Sequence, residues 1–511
     1  MARFFVNGSN DMSTLDLSTI ANGDITTNTS SEVIIHATDG TTYALFGTFS
    51  GGSGSTLPTS GTITRLVAVA SDGSRQAIST MQLPVQTFDH FLQTDNASGL
   101  LNAIFAGNDT FDLTKGSGNN GVLGEAGNDK FMLGGTLDAQ DSINGGGGHN
   151  TAVLDGNYGA GLVLGSDTLV GISALVLNGA HDYNITTADG TVAANHTLTV
   201  DAKPMTAGGV LTFDGSAETD GKFDFMLGKA PGATVTGGAG NDVFHGAGSG
   251  ATLNGGGGND LFSFGANFNG TDVIDGGTGH NTISLNGDYS GGLTFGADSL
   301  QNIQGIVVQG GHSYDLTLSP ANLGAGSTLT VDGLGLHAAD SLTFDGSATL
   351  GNLILDGGPG ADTLIGGGGH NTFDSGLGVD SMTGGGSKDR FVFSDVTDST
   401  GRGHDTIINF DADHDTFVLN VAVSAVDPAV TSGSLSQSTF DTDLRHDLGA
   451  TELHAHDAVL FTASSGTYAG DTFLVVDENG TAGYQTNQDL VIQLTNGQHL
   501  NTLDAGNFTV G

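Results

Sequence analysis

Asp or Asn recurs every nine residues in the glycine-rich stretch from Gly357 to Val392. The stretch divides into four units, GGPGADTLI, GGGGHNTFD, SGLGVDSMT and GGGSKDRFV, each with Asp or Asn at its sixth position. Glycine permits a tight turn at the start of each unit, and the turn leaves backbone carbonyls without strand partners. A carboxylate beside such carbonyls suits Ca²⁺, which takes about six to eight oxygen ligands. The pattern therefore predicts a row of several calcium ions bound to the chain.

Matching nonads lie upstream at Gly124–Met132 (GEAGNDKFM), Gly237–His245 (GGAGNDVFH) and Gly255–Ser263 (GGGGNDLFS), and residues 107–111 match in part. The predicted side-chain ligands in these units are Asp109, Asp129, Asp242, Asp260, Asp362, Asn371, Asp380 and Asp389. The turn glycines assigned to the same sites are Gly237, Gly240, Gly255, Gly258, Gly357 and Gly360.

Each nonad must continue from its turn into a short strand, because an apolar residue stands at its eighth position. If two nonads form one turn of a coil, an ion lies between unit n and unit n+2 on one edge. This arrangement pairs Asp242 with Asp260, Asp362 with Asp380, and Asn371 with Asp389. The eighth residues should then fill a thin core; they are Phe244, Phe262, Leu364, Phe373, Met382 and Phe391.

Some units depart from the pattern. Asn replaces Asp at Asn150, Asn281 and Asn371, and Ala251 stands at the sixth position of the nonad Gly246–Asn254. The edges of the coil at these positions are expected to bind calcium weakly or not at all. The alternative interpretation of the whole pattern is that the glycine turns are purely structural, as in calcium-free solenoids.

A large module of the chain occurs twice. Tyr158 realigns with Tyr289 at a shift of 131 residues (289 − 158), and Gly148–Thr151 realigns with Gly279–Thr282 at the same shift. After a contraction the shift is 120 (362 − 242), which relates Asp242 to Asp362. Repeats that stack end to end bury one continuous core. Duplication of a whole scaffold favours a structural role over an enzyme with one asymmetric site.

Composition narrows the classes of function. The 511-residue chain has 12 Lys and Arg against 55 Asp and Glu, a formal net charge of −43. Such a balance excludes nucleic acid as a natural partner and disfavours anionic membranes. The chain has no Cys, so it has neither disulfides nor thiol chemistry, and it contains no apolar run of about 20 residues that could span a membrane.

The nonads resemble those of the repeats-in-toxin (RTX) family of secreted bacterial proteins, whose parallel β-rolls bind calcium. The segment DTIINFDADHDTF, from Asp405 to Phe417, is similar to the segment that closes the roll in that family. The resemblance adds Asp405, Asp411, Asp413 and Asp415 as candidate ligands of a last ion, with solvated turn carboxylates as the alternative. It also implies export through type I secretion machinery, since the N-terminal MARFFVNGSNDMSTLDL lacks the features of a Sec signal.

These observations predict an all-β fold, a parallel β-roll or β-helix solenoid with calcium-binding nonapeptide repeats, flanked by small β-rich terminal domains. The predicted domains are a β-rich domain at 1–103, first nonads at 104–144, module 1 at 145–275, module 2 at 276–395, and a C-terminal closing and secretion domain at 396–511.

Catalytic motifs are missing: the chain has no H-E-x-x-H and no G-x-S-x-G. The sequence therefore favours a non-enzymatic, secreted structural protein that folds on binding calcium and assembles with itself on the bacterial surface, as an S-layer, filament or matrix. Cell-surface polysaccharide is a further possible partner. The alternatives are a calcium-dependent adhesin or carbohydrate-binding protein, and a secreted enzyme acting on polysaccharide.

Overall fold

The computed structural model describes residues 1–228, 231–246 and 248–511. Lys229, Ala230 and Ala247 lie outside the described residues, so the nonad Gly246–Asn254 is described except at Ala247. The chain divides into two compact units, Met1–Asp260 and Leu261–Gly511.

The first unit contains strands β1 (Arg3–Asp11), β2 (Asp24–Asn28), β3 (Glu32–His36), β4 (Thr42–Ser50), β5 (Ser60–Val69), β6 (Arg75–Pro84), β7 (Thr110–Leu123), β8 (Lys130–Leu133), β9 (Ser142–Asn144), β10 (Asn150–Leu154), β11 (Tyr158–Leu164), β12 (Leu169–Val170), β13 (Ile172–Leu177), β14 (Tyr183–Thr187), β15 (Thr197–Asp201), β16 (Leu211–Asp214), β17 (Lys222–Met226), β18 (Thr234–Thr236), β19 (Val243–His245) and β20 (Thr252–Asn254). Its helices are α1 (Leu17–Ala21), α2 (Val85–Gln93) and α3 (Ala97–Phe105), with a 3-10 turn at Met12–Thr14.

The N-terminal part of the first unit is an antiparallel sheet in the order β2-β3-β4-β5-β6-β1. The helix α2 follows Pro84 and buries Val85, Phe88 and Leu92, which share one helical face. The side chain of Asn96 caps α3 by accepting from the Gly99 backbone N–H at 2.8 Å. The antiparallel sheet is therefore followed by two short helices, α2 and α3.

Beyond β1 the pairing becomes parallel. One parallel sheet of the first unit runs β1-β7-β8-β10-β13-β15-β17-β19, and a second runs β11-β14-β16-β18-β20. From β13 onward, successive strands of the chain alternate between the two sheets. Each strand therefore pairs with the strand one turn earlier and one turn later, as in a parallel solenoid.

The second unit contains strands β21 (Leu261–Phe264), β22 (Val273–Asp275), β23 (Thr282–Leu285), β24 (Tyr289–Thr294), β25 (Gly305–Val308), β26 (Tyr314–Thr317), β27 (Thr328–Asp332), β28 (Leu342–Asp345), β29 (Asn352–Asp356), β30 (Thr363–Ile365), β31 (Thr372–Asp374), β32 (Ser381–Thr383), β33 (Arg390–Phe393), β34 (Asp405–Ile408), β35 (Thr416–Leu419), β36 (Val426–Val430), β37 (Ala458–Thr462), β38 (Thr472–Val476), β39 (Leu490–Thr495) and β40 (Phe508–Val510). Its helix is α4 (Phe440–Asp447), and 3-10 turns lie at Val396–Asp398, Gly401–Gly403, Leu500–Thr502 and Ala505–Asn507.

The second unit also contains two parallel sheets. One runs β21-β23-β25-β27-β29-β31-β33-β35-β40 and the other runs β24-β26-β28-β30-β32-β34-β39. In the nonad region Leu364 pairs with Met382, and Phe373 pairs with Phe391. All the predicted eighth-position core residues have 0% exposure. The Phe373 and Phe391 rings stack with centroids 5.0 Å apart.

The second parallel sheet ends in an antiparallel segment, β39-β38-β37, to which β36 adds in parallel. The core of this part includes Phe440 and Leu444 from α4 together with Phe461, Phe473 and Val491 from the strands. Apolar residues on both strand faces explain the deep burial of β37 to β39, since one face meets α4.

The duplicated module is visible in the structure at the level of single hydrogen bonds. The Tyr183 hydroxyl donates to the carbonyls of Leu154 and Asn178, and the Tyr314 hydroxyl donates to those of Leu285 and Gln309, which are the residues related by the shift of 131. The mainly β-strand, parallel-sheet architecture predicted from the sequence is confirmed. No helix in the described parts of the chain is long and apolar enough to cross a membrane.

Candidate metal centre

The sixth-position aspartates are buried although they lie in turns. Asp242 and Asp389 are 0% exposed, and Asp129, Asp362 and Asp380 are 2% exposed. Each stands directly before the short strand of its nonad, where the chain leaves the glycine turn and enters the sheet. The carboxylate therefore lies under the turn, against the turns of neighbouring coils, rather than in solvent.

These carboxylates form ladders along the edge of the coil. The Asp362 backbone N–H donates to Asp380 Oδ1 at 2.8 Å, and the Asp380 N–H donates to Asp405 Oδ1 at 2.8 Å. The Leu342 N–H donates in the same way to Asp362 Oδ1 at 2.7 Å. Each carboxylate thus uses one oxygen to hold the backbone of the preceding coil.

A second ladder in the same unit joins Asn371, Asp389 and Asp415. The Asn371 N–H donates to Asp389 Oδ1 at 2.9 Å, and the Asp389 N–H donates to Asp415 Oδ1 at 2.9 Å. The two ladders show that pairing follows unit n and unit n+2, since Asp362 and Asp380, like Asn371 and Asp389, are 18 residues apart.

The first unit repeats the arrangement. The Asp109 N–H donates to Asp129 Oδ1 and the Asp129 N–H donates to Asn150 Oδ1, both at 2.8 Å. The Asp242 N–H donates to Asp260 Oδ1 at 2.8 Å. The three pairs predicted from the nonad spacing are therefore brought together. The ladders also include Asn150, although this residue replaces the Asp of the nonad pattern.

The turn glycines allow the coils to approach closely. A β-carbon on Gly357 would lie 2.7 Å from both Asp362 Oδ2 and the Ser375 carbonyl oxygen. A β-carbon on Gly237 would overlap Asp242 Oδ2, and one on Gly360 would overlap the Asp340 carbonyl. The first and fourth positions of the nonad are therefore oxygen-lined spaces that a larger residue would fill.

Several of the ladder carboxylates have one oxygen that no hydrogen bond satisfies. Oδ2 of Asp109, Asp129, Asp362 and Asp380 is buried and has no hydrogen-bond partner. A buried unpaired carboxylate oxygen is costly unless a proton or cation neutralises it. The unsatisfied oxygens occur on consecutive rungs, Asp109 with Asp129 and Asp362 with Asp380.

Other rungs are satisfied by the protein itself. Asp242 Oδ2 accepts from the Gly238 N–H at 2.7 Å, Asp389 Oδ2 from Gly385, and Asp415 Oδ2 from Asp411 at 2.8 Å. The sites that the sequence predicts to be equivalent thus fall into two groups. In one group a carboxylate oxygen has no hydrogen-bond partner, and in the other both carboxylate oxygens accept hydrogen bonds.

Burial raises the pKa of the ladder carboxyls. The pKa is raised to about 6 for Asp129, Asp242, Asp362 and Asp415, and to about 7 for Asp260 and Asp380. For Asp405, burial and then the charge of Asp380 raise the pKa to about 9. Burial also raises the pKa of Asp109 and Asp389. The fold alone therefore disfavours the ionised form that a metal ligand requires.

The Asn units bring an amide group to the turn carbonyls. Asn371 Nδ2 donates to the carbonyls of Gly367 and Gly369 at 3.2 and 3.0 Å, and to Asp389 Oδ1 at 2.9 Å. Asn150 Nδ2 donates to the Gly171 carbonyl at 2.9 Å. The amide thus gives the turn carbonyls the donors that a cation would otherwise satisfy by coordination.

The four candidates for a last ion are separated in the structure. Asp405 and Asp415 stand at the ends of the two different ladders. Asp411 and Asp413 instead lie at the surface with His499, whose Nδ1 is 2.7 Å from Asp411 Oδ1 and 3.5 Å from Asp413 Oδ2. Their carboxylate oxygens and the His499 nitrogen lie within 4.8 Å of one another and could hold a separate metal ion.

One buried acidic pair was not predicted from the sequence. Val476 pairs with Leu490 across the β38–β39 hairpin, so Asp477 and Asp489 face each other at its next position, and both are 0% exposed. Asp477 Oδ2 has no hydrogen-bond partner, and burial followed by the charges of Asp477 and Glu478 raises the pKa of Asp489 to about 7. The only sequence signal was a pair of acids flanking two apolar strands, which is common in hairpins.

The residues present fit calcium. The ladders offer carboxylate oxygens, turn carbonyls and glycine-lined space, and they offer no thiolate, because the chain has no Cys. Hard oxygen donors select calcium or magnesium over softer metals, and irregular sets with carbonyls suit calcium. At Gly357 a carboxylate oxygen and a carbonyl oxygen already converge.

Comparison with known proteins gives no relative: no protein-family model, no curated protein and no solved structure matches the chain.

Proposed function

We propose that this chain is a calcium-dependent structural protein that folds into parallel β-rolls when calcium binds to its nonads. The observation that carries the proposal is the set of buried ladder carboxylates with an unsatisfied oxygen, at Asp109, Asp129, Asp362 and Asp380. An ionised carboxylate with one buried oxygen that accepts no hydrogen bond is costly, and consecutive rungs hold two of them, so a counter-charge stabilises the folded coil. Calcium between consecutive rungs supplies it.

The mechanism is linkage between binding and folding. The two carboxylates of a site come together only when the coils stack, so calcium binds the folded state and not the unfolded chain. Each site then adds RT ln(1 + [L]/Kd) to the free energy of unfolding. Several sites in one cooperative coil make the folding transition steep in calcium concentration.

The proposed role is secretion followed by self-assembly on the bacterial surface, as an S-layer, filament or matrix. Extracellular calcium is high enough to fill sites of ordinary affinity, whereas cytosolic free calcium is not, and type I secretion machinery is the proposed export route. Support for assembly comes from the duplicated module, whose two copies offer equivalent surfaces, and from the resemblance of the nonads to the RTX family. We assign the protein no catalytic activity.

The test combines circular dichroism with negative-stain electron microscopy on the full chain, first in EGTA and then in millimolar calcium. We expect much less β-structure and a lower melting temperature in EGTA, and full β-structure with ordered sheets or filaments in calcium. Folding into dispersed monomers would retain the calcium switch but reject assembly. A β-sheet spectrum that is the same in EGTA and in calcium would reject the calcium role itself.

A further inference from the structure

The few basic residues of this acidic chain are not evenly distributed. Five of the twelve Lys and Arg residues lie on the exposed face of one sheet in the first unit, in strands β5, β6, β1, β7 and β8. We call this the cationic face; its residues are Arg3, Arg65, Arg75, Lys115 and Lys130, and all five are exposed.

Strand register places three of the five in one line. Arg65 pairs with Ser79, Ser79 with Arg3, Arg3 with Thr110, and Thr110 with Lys130. A single row across five strands therefore reads Arg, Ser, Arg, Thr, Lys. Adjacent strands lie about 4.8 Å apart, so successive cations are spaced by about 10 Å with a hydroxyl group between each pair.

A second row runs parallel to the first. Asn7 pairs with both Arg75 and Lys115, which places two more cations on the same face, four residues further along β1. Between the rows, Phe5 pairs with Ala77 on one side and Asp112 on the other, and Met132 lies beyond Asp112. Three arginines, Phe5 and Met132 line a groove of about 740 Å³.

The cations of the cationic face form no salt bridge in the described part of the chain. Arg65 lies over the Phe46 ring at 5.2 Å, and the acid in the groove, Asp112, accepts from the Thr114 hydroxyl at 2.6 Å. In a chain of net charge −43, these five exposed bases concentrate positive charge on one face, with Asp112 as the acid that lines the groove.

We propose that the cationic face binds an acidic polysaccharide. Guanidinium groups bind carboxylates in a bidentate fork, and the Ser79 and Thr110 hydroxyls between them suit sugar hydroxyls. The half-buried Phe5 offers an aromatic surface to a sugar ring. Cations spaced by about 10 Å fit a linear chain with intermittent charges. A second copy of the protein, or an anionic lipid surface, is less suited to a row that alternates cations with hydroxyls.

The inference deepens the proposed surface role, because it names the class of molecule that holds the protein to the cell. It does not depend on assembly. Three strands of the face, β5, β6 and β1, belong to the N-terminal sheet, whereas β7 and β8 carry residues of the first nonads. Its ligand binding is therefore measured on dispersed protein in saturating calcium.

The experiment uses biolayer interferometry of full-length protein on immobilised hyaluronan, a polymer of alternating uronic acid and neutral sugar, with neutral dextran as reference. The variant Arg65→Gln with Lys130→Gln removes both ends of the row. Its matched control is Arg445→Gln with Lys203→Gln, which removes the same charges from exposed positions elsewhere. We expect the wild-type protein to bind hyaluronan and not dextran. We expect the affinity of the row variant for hyaluronan to be about tenfold lower than that of wild type.

Circular dichroism and melting temperature in calcium must match wild type for both variants. Equal affinities in the row variant and the control would overturn the proposal, as would equal binding to dextran. Two further measurements test the other ligands. Binding to vesicles that contain phosphatidylglycerol tests a lipid surface, and light scattering of the protein alone tests self-association. Loss of vesicle binding or of self-association in the row variant, without hyaluronan binding by wild type, would assign the face to lipid or to a second copy and reject the polysaccharide.

Discussion

Asp380 and Asn371 occupy equivalent positions in neighbouring nonads but satisfy their turns in different ways. Asp380 is left with a buried unsatisfied oxygen, whereas the Asn371 amide donates to two turn carbonyls and to Asp389. In these two nonads, the difference between a rung with an unsatisfied oxygen and a rung without one is thus a single side-chain amide.

Two reciprocal substitutions test this reading of the residues. Asp380→Asn retains Oδ1 as acceptor for the Asp362 N–H but removes the buried charge, so it should stabilise the calcium-free protein by about 1–2 kcal/mol. The same change should reduce the stabilisation that calcium confers. Asn371→Asp should have the opposite effect on both quantities. Urea unfolding with and without calcium measures the four values; shifts of the same sign in both variants would contradict the assignment.

At the scale of the element, the nonad turn depends on contact between glycines of successive coils. A β-carbon on Gly378 would overlap the Gly360 carbonyl oxygen 18 residues earlier, whereas a β-carbon on Gly386 would meet no atom within 4 Å. The two glycines belong to consecutive nonads, and neither has the positive φ that would itself disfavour alanine.

Gly378→Ala should therefore destabilise the protein by about 1–3 kcal/mol, because the coils must separate to admit the methyl group. Gly386→Ala should change the free energy of unfolding by less than about 0.5 kcal/mol. Chemical denaturation in saturating calcium compares the two. Similar losses for both variants would show that backbone flexibility, and not contact between coils, is what these glycines supply.

The parts of the fold that follow from a fixed spacing could be predicted from the sequence. The pairing of Asp362 with Asp380 needed only the nine-residue period, and the core position of Phe373 needed only its place in the nonad. The partner of Asp380 on its other side, Asp405, lies 25 residues away because the chain inserts two 3-10 turns before β34. A period cannot anticipate such an insertion.

Features that are built from distant strands could not be predicted from the sequence. Asp477 and Asp489 meet only because β38 and β39 form a hairpin in one particular register. The row of Arg65, Arg3 and Lys130 requires β1 to join an antiparallel sheet on one side and a parallel sheet on the other. Neither arrangement leaves a motif, because both depend on long-range pairing.

For the whole molecule, the raised pKa values set the pH dependence of the calcium-free state. A carboxyl whose pKa is higher in the folded than in the unfolded state stabilises the fold below its unfolded pKa, near 4. That stability is lost as pH rises through the folded values of about 6 for Asp362 and about 7 for Asp380. On the proposal that calcium binds these carboxylates, it would replace the protons, and its binding should reverse this loss.

We therefore expect the calcium-free protein to melt at a higher temperature at pH 5 than at pH 7.5. In saturating calcium the difference should shrink or change sign. Thermal melts followed by circular dichroism, in buffers freed of calcium by a chelating resin, measure both. A calcium-free melting temperature that rises with pH would show that the ladder carboxylates are not buried in solution.

Specific binding must also be separated from screening of the net charge of −43. Magnesium has the same charge as calcium but requires nearly ideal octahedral geometry at about 2.0–2.1 Å, which turn carbonyls meet poorly. At equal millimolar concentration, calcium should raise the melting temperature well above the value in magnesium. Equal shifts from the two ions would indicate charge screening alone.

The stacked tyrosines give the folded state an optical signature. Tyr158 stacks on Tyr183, and Tyr289 on Tyr314, with ring centroids 6.1 and 6.0 Å apart. Burial raises the pKa of Tyr158, Tyr183 and Tyr289 to about 12, against about 10 in an unfolded chain. Because the chain has no Trp and only 7 Tyr, these pairs dominate its near-ultraviolet absorbance. A brief jump to about pH 11 would therefore ionise the phenols of unfolded chains first, so the phenolate band reports the fraction of unfolded molecules without an added dye.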